Sequence, residues 1–179
     1  MPKYIAFLRA INVGGHTVKM DHLRSLFEAM GFAQVETFIA SGNVIFDSPN
    51  PNTQALESQI EAALHKALGY AVATFIRSTA ELAAVANYQP FADVALNDKD
   101  SGLYVSFTAT APDAAAQQKL LAFTSPIDSF HIYGREVYWL CRIKMSESTF
   151  SGKTLEKAIG MPATMRNIST VKKLAAKYL

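Results

Sequence analysis

The chain has 179 residues, half of them apolar and 18% charged, with a formal net charge of +2. That length accommodates one domain or two small ones, and the composition supports a buried core rather than a disordered chain. A single cysteine, Cys141, excludes an internal disulfide and a multi-cysteine zinc site.

The first element is Lys3–Leu8, a strand apolar on both faces, with Ile5 and Phe7 on one and Tyr4, Ala6 and Leu8 on the other. Met20, Leu23, Leu26, Phe27 and Met30 then recur at helical spacing, and Gly31 stops that helix. Val35–Ile39 and Asn43–Asp47 are short strands joined around Ser41-Gly42, a hairpin signal. After the Pro49-Asn50-Pro51-Asn52 loop, the spacing predicts a helix over Thr53–Leu68 closed by Gly69, and then a strand over Ala71–Arg77. The order β-α-β-β-α-β is the split unit of a ferredoxin-like fold.

Ser78 and Glu81 form a capping box that opens a helix of about ten residues. A polar linker follows, built from Gln89-Pro90-Phe91 and Asn97-Asp98-Lys99-Asp100, and then the pattern begins again. Gly102–Thr108 is a strand, and Pro112–Phe123 a helix with proline in its first turn. Ile127–Tyr133 and Glu136–Arg142 form a hairpin around Gly134. Helices over Lys153–Ile159 and Ser169–Tyr178, the second capped by Ser169, complete a β-α-β-β-α series with no visible sequence repeat. The expected class is therefore α/β (α+β): two ferredoxin-like lobes with antiparallel sheets covered by helices. Residues 1–77 form the first lobe, 78–100 a connecting helix and linker, and 101–179 the second lobe with its basic terminal helix.

Charge is unevenly placed. Residues 142–179 carry eight basic side chains against Glu147 and Glu156, a net +6, and the rest of the chain nets −4. This asymmetry points to an anionic partner, with nucleic acid as one class and a solvated helix face as the plain alternative for Lys172, Lys173 and Lys177. Apolar residues on both faces of Tyr4–Leu8 argue against RNA recognition on an open sheet face, and Asn43–Asp47 lacks the aromatic and basic signature of such a module. No apolar run approaches the ~20 residues of a membrane span, and the N-terminus lacks a signal-peptide core, so a cytoplasmic protein with no membrane partner is expected. Nothing in the sequence sets an oligomeric state.

The run most suggestive of chemistry is Arg9-Ala10-Ile11-Asn12-Val13-Gly14-Gly15, directly after the first strand. Paired glycines allow close backbone approach to a ligand, and Arg9 and Asn12 add donors. No carboxylate appears between Lys3 and Asp21, and Lys19 precedes a helix N-terminus, which favours anions. The third glycine of a dinucleotide fingerprint is missing. In the split unit strand one lies beside strand three, so Ser41, Gly42 and Asn43 are expected near the same sheet end as Arg9 and Asn12. Arg166 and Asn167 repeat the chemistry of Arg9 and Asn12 as a second anion contact. Ser151-Gly152-Lys153-Thr154 imitates the end of a P-loop, but Glu147 stands where the pattern needs its first glycine. The four histidines show no metal spacing; His16, beside Gly15, reads as a solvated loop histidine, and it is the one histidine placed to touch a ligand. No serine sits in a nucleophile elbow, and Cys141, beside Trp139 and Leu140, reads as a buried strand thiol.

Taken together, these runs resemble DUF1697, a domain-of-unknown-function family of small bacterial proteins, over essentially the whole chain. The family's Arg-Gly-Ile-Asn-Val-Gly-Gly and Lys-Met appear as Arg9 to Gly15, with Ala10 in place of glycine, and as Lys19-Met20. Its Thr-Tyr-Ile-Gln-Ser-Gly-Asn appears as Thr37 to Asn43, with Phe38 and Ala40 substituted, so the glutamine amide is absent. Its Ala-Thr-x-Arg-Asn-Trp-x-Thr-Val appears as Ala163 to Val171, with Ile168 for the tryptophan, and Ser146-Glu147-Ser148 to Lys153 resembles one branch. The resemblance implies a two-lobed ferredoxin-like fold and brings no reaction with it. The resulting expectation is a small anionic or phosphate-bearing ligand, no cofactor and no metal, with nucleic-acid binding through the basic C-terminal segment, or a non-catalytic structural or partner-binding module, as the alternatives. The site would draw on Arg9, Asn12, Gly14, Gly15, Lys19, Ser41, Gly42, Asn43, Arg166 and Asn167.

Overall fold

Alternating apolar residues build the first four-stranded sheet around β1 (Lys3–Leu8). The computed structural model describes residues 1–11, 15–39, 42–91 and 101–179. In chain order β1 is followed by α1 (Met20–Ala29), β2 (Ala33–Thr37), β3 (Asn43–Asp47), α2 (Thr53–Leu68), β4 (Thr74–Ser78) and α3 (Thr79–Asn87). The sheet order is β2-β3-β1-β4, and every pairing is antiparallel. One face of this sheet carries Tyr4, Ala6, Leu8, Val44, Phe46 and Ile76, which pack with Leu23 and Phe27 of α1 and Leu56, Ile60 and Leu64 of α2. Residues on the other face, Ile5, Phe7, Ile45, Phe75 and Arg77, are also buried.

The second series runs β5 (Gly102–Phe107), α4 (Ala114–Leu121), β6 (Asp128–Tyr133), β7 (Glu136–Cys141), α5 (Gly152–Ile159), β8 (Thr164–Asn167) and α6 (Ile168–Tyr178). Its sheet order, β6-β7-β5-β8, repeats that of the first, again with antiparallel pairings throughout. Trp139, Phe130, Val137 and Cys141 pack with Leu155 and Ile159 of α5, Leu120 of α4 and Phe150. Leu103, Val105, Phe107, Tyr138 and Leu140, on the opposite face, are buried as well. The chain divides into two compact units, Met1–Ala84 with Leu174–Leu179, and Val85–Lys173. The last six residues thus group with the first unit, although α6 begins in the second.

Several sequence expectations need correction. The second half contains a fourth strand, β8, so it too is a complete β-α-β-β-α-β unit. It hid because Arg166 interrupts a four-residue run that otherwise carries no alternation to read. Asn167 rather than Ser169 caps α6, its Oδ1 accepting from Ser169 N at 2.9 Å. Pro112 stands outside α4, whose cap is Asp113. β4 starts at Thr74, three residues later than Ala71. The linker expected at Asn97–Asp100 lies outside the described residues.

Each unit also buries an arginine in its own sheet. Arg77 pairs across from Ile5 and Arg166 from Val105, each in the last strand of its sheet. Each guanidinium Nη1 donates to the carbonyl of the preceding residue, Ile76 at 3.0 Å and Met165 at 2.9 Å. Arg166 also donates to Thr164 Oγ1 at 2.8 Å, and burial pulls its pKa down to about 10.

Candidate functional site

The end of β1 and the β2–β3 turn meet, as the split topology requires. Phe7 pairs with Asn43, and Leu8 N donates to Gly42 O at 2.8 Å. Gly42 sits at φ +86, and a Cβ there would lie 2.9 Å from Ile11 Cγ2 and 3.1 Å from Leu8 Cβ. Only glycine fits both the conformation and the space. Asn43 is fully buried, and its Nδ2 donates to Phe38 O at 2.8 Å. Its amide braces the turn from inside. Ser41 lies outside the described residues, as do Ala40, Asn12, Val13 and Gly14.

Arg9 follows β1 directly. Its N–H donates to Ala73 O at 2.9 Å, and its side chain is half-buried. The loop is anchored at both ends by buried side chains, Ile11 and Val18, with exposed Gly15, His16 and Thr17 before the second anchor. Each motif run contains a non-glycine residue at positive φ, Ala10 at φ 53 and Ile39 at φ 59. For a β-branched residue such as Ile39 that conformation is strained.

Beyond Gly15 the loop forms one wall of a cleft of about 460 Å³, lined by Gly15 to Lys19, His22, Ala67, Leu68 and Tyr70. Tyr70 Oη donates to Ile11 O at 3.0 Å, and the His16 ring stacks on the Tyr70 ring at 3.8 Å and 18°. α1 begins in this cleft with Lys19 as its N-cap, and no side chain caps its first amides. The other five α-helices all have side-chain caps: Asn52, Ser78, Asp113, Ser151 and Asn167. Among the described residues, then, α1 alone turns uncapped N–H groups outward, beside a lysine and two histidines. That chemistry suits an anion. Asp21, in the same first turn, is the one opposing charge.

Arg166 and Asn167 are committed elsewhere: Arg166 is buried against its own strand, and Asn167 caps α6. Ser151-Gly152-Lys153-Thr154 is the capped start of α5, with Ser151 Oγ accepting from Thr154 N at 3.3 Å. Cys141 is buried and its Sγ donates to Ile143 O at 3.1 Å, while burial and nearby Asp128 push the thiol's pKa up. A protonated buried thiol is a poor nucleophile. Among the described residues no group of three His, Cys, Asp or Glu is placed to hold a metal, and no helix is long and apolar enough to cross a membrane. The cleft lining sets Lys19 and His16, which the sequence singled out, beside Tyr70 and His22, which it did not. Tyr70 arrives from the far end of α2, and only the fold brings it under the loop.

A solved structure, that of the conserved bacterial protein SP0830 from Streptococcus pneumoniae, superposes with a TM-score of 0.71 at 20% identity. The match covers 98% of this chain and 97% of that one, which establishes a shared fold. No curated protein matches the chain. The model of the protein-of-unknown-function family DUF1697 matches residues 1–138. That match spans well over half of the sequence, and the chain belongs to the DUF1697 family.

Proposed function

We propose that this protein binds a small anionic, phosphate-bearing ligand at the end of β1, in the cleft where α1 begins. The observation that carries the reading is the uncapped first turn of α1, facing that cleft beside Lys19, His16 and His22. Backbone N–H groups at a helix start bind phosphate oxygens without a dedicated side chain. Lys19 supplies formal charge within the cleft lining, and Arg9 at the end of β1 is the second cation this reading assigns to the ligand. Gly15 lets the chain approach closely, and Gly42 and Asn43 hold the turn against which the loop is set. Strain at Ala10 and Ile39 fits a loop held in one shape for binding. Arg166 and Asn167 take no part, since each is engaged within its own strand and helix cap. Nucleic-acid recognition on a sheet surface gains no support, because both faces of the central strands are buried.

The test is a thermal-shift and NMR titration of the wild type, Arg9→Ala and Lys19→Ala with inorganic phosphate and simple phosphate monoesters. The expected result is stabilisation of the wild type, with affinity falling about tenfold for each charge removed, as for a lost charge-assisted hydrogen bond. Equal responses of all three proteins to every compound would overturn the reading.

A further inference from the structure

A sheet edge exposes a row of unpaired backbone groups, and three of the four edges in this chain are blunted. On β4 the outward N–H groups of Thr74, Ile76 and Ser78 each meet a glutamate: Glu61 at 3.1 Å, Glu57 at 3.0 Å and Glu81 at 2.8 Å. β2 is broken by a bulge, with Gln34 at φ 50 and a register shift between Ala33 and Glu36. β8 has only four residues, and Glu156 occupies Ala163 N just before it. β6 differs from all three.

β6 pairs with β7 in unbroken register from Asp128 to Tyr133, closed by the two-residue loop Gly134-Arg135. Inward and outward backbone groups alternate along such a strand. Asp128 sets the phase, because its outward N–H and C=O are both taken by Ser125, each at 3.0 Å. By the same alternation Phe130 and Ile132 point their N–H and C=O outward, and among the described residues nothing meets them. From Ser129 to Tyr133 the strand carries no carboxylate, lysine or arginine. Exposed apolar side chains flank it: Ile127 and Tyr133 at its ends, and Leu121 and Phe123 at the end of α4, which packs on β6.

We propose that β6 is the seam by which two copies of this chain associate. The strand is self-complementary about His131: in antiparallel pairing Phe130 of one copy faces Ile132 of the other, twice over. Each of those pairs exchanges two backbone hydrogen bonds, and the two sheets join into one of eight strands. A closed two-fold contact of this kind uses the same patch on both copies. No like charges oppose each other along it, and the flanking apolar side chains lose exposed surface. The inference is independent of the anion site, which lies in the other unit.

The test is light scattering on the full chain together with hydrogen exchange at the Phe130 and Ile132 amides. A dimer is expected, with a dissociation constant of about 1–100 μM for a small edge-to-edge contact, and both amides should gain protection as concentration rises. Ile132→Pro removes one outward N–H while remaining tolerable on an edge strand, and it should give a folded monomer. Tyr133→Lys, which places a charge on the exposed edge, should do the same should the proline variant fail to fold. A wild type that stays monomeric, amide exchange independent of concentration, or a folded edge variant that remains dimeric would each overturn the proposal. Saturation of the edge by added extended peptide without self-association would overturn it in favour of a peptide partner.

Discussion

Ala10 shows how much one methyl group can mean beside the loop. It sits at φ 53, where an L side chain costs about 1–2 kcal/mol and glycine costs almost nothing sterically. Glycine at the equivalent place in the family motif has this simple conformational reason. Ala10→Gly should therefore raise stability by about 0.5–1 kcal/mol, the relief of strain being partly offset by the greater freedom of glycine in the unfolded chain. Urea denaturation of the two proteins measures it directly. Unchanged or lower stability would mean that neighbouring residues already absorb the strain. Asn43 carries a second residue-scale lesson. From sequence its side chain reads either as part of a plain hairpin turn or as a ligand contact, and in the structure its buried amide holds Phe38 O and shapes the turn from within. A side-chain amide in a Ser-Gly-Asn turn has both uses open to it, and only burial distinguishes them.

Among the elements, β4 is tied to the helices beside it by glutamates that accept its backbone N–H groups. Glu57 Oε1 accepts from Ile76 N in a buried setting, so Glu57→Ala would leave that amide without its partner. A loss of about 1–3 kcal/mol is expected, with faster hydrogen exchange at Ile76, while Glu57→Gln keeps an acceptor and should lose less. Equal losses in the two variants would assign the effect to packing alone. Most elements were legible in the sequence because their signals are local. The Thr53–Leu68 helix has its Asn52 cap and Gly69 stop, and the Ser78–Glu81 box closes reciprocally at 2.8 and 3.1 Å. β8 was illegible because it is short and contains a buried arginine, whose place is fixed only by pairing with β5. The site was legible in the same partial way. Strand order placed the Gly42 turn beside Leu8, but the cleft depends on Tyr70 and His22, which no local pattern ties to Gly15.

At the scale of the whole molecule, the chain's last residues return to the first unit. Tyr178 Oη donates to Glu36 Oε2 at 2.8 Å, its ring meets Phe38 edge-on at 6.3 Å, and Lys177 Nζ lies 5.6 Å from the Phe38 ring centroid. Phe38 is also the residue whose carbonyl Asn43 holds, so the end of α6 bears on the turn that faces the Arg9 loop. Burial, then the hydrogen bond to Glu36 and its charge, push the Tyr178 pKa from its ordinary 10.0 up to about 12. A hydroxyl whose pKa is raised on folding contributes stability that is fully present below pH 10.0 and lost as pH rises through about 12. Tyr178→Phe lacks that hydroxyl. At pH 8 it should be less stable than the wild type by about 0.5–1 kcal/mol, a modest figure for a partly exposed bond. The gap should close between pH 10 and 12, and hydrogen exchange in residues 38–43 should be faster in the variant at pH 8. Denaturation curves across that range read the first effect and exchange reads the second. A gap that persists unchanged at pH 12 would place the contribution in ring packing against Phe38, and unchanged exchange would separate the end of α6 from control of the turn.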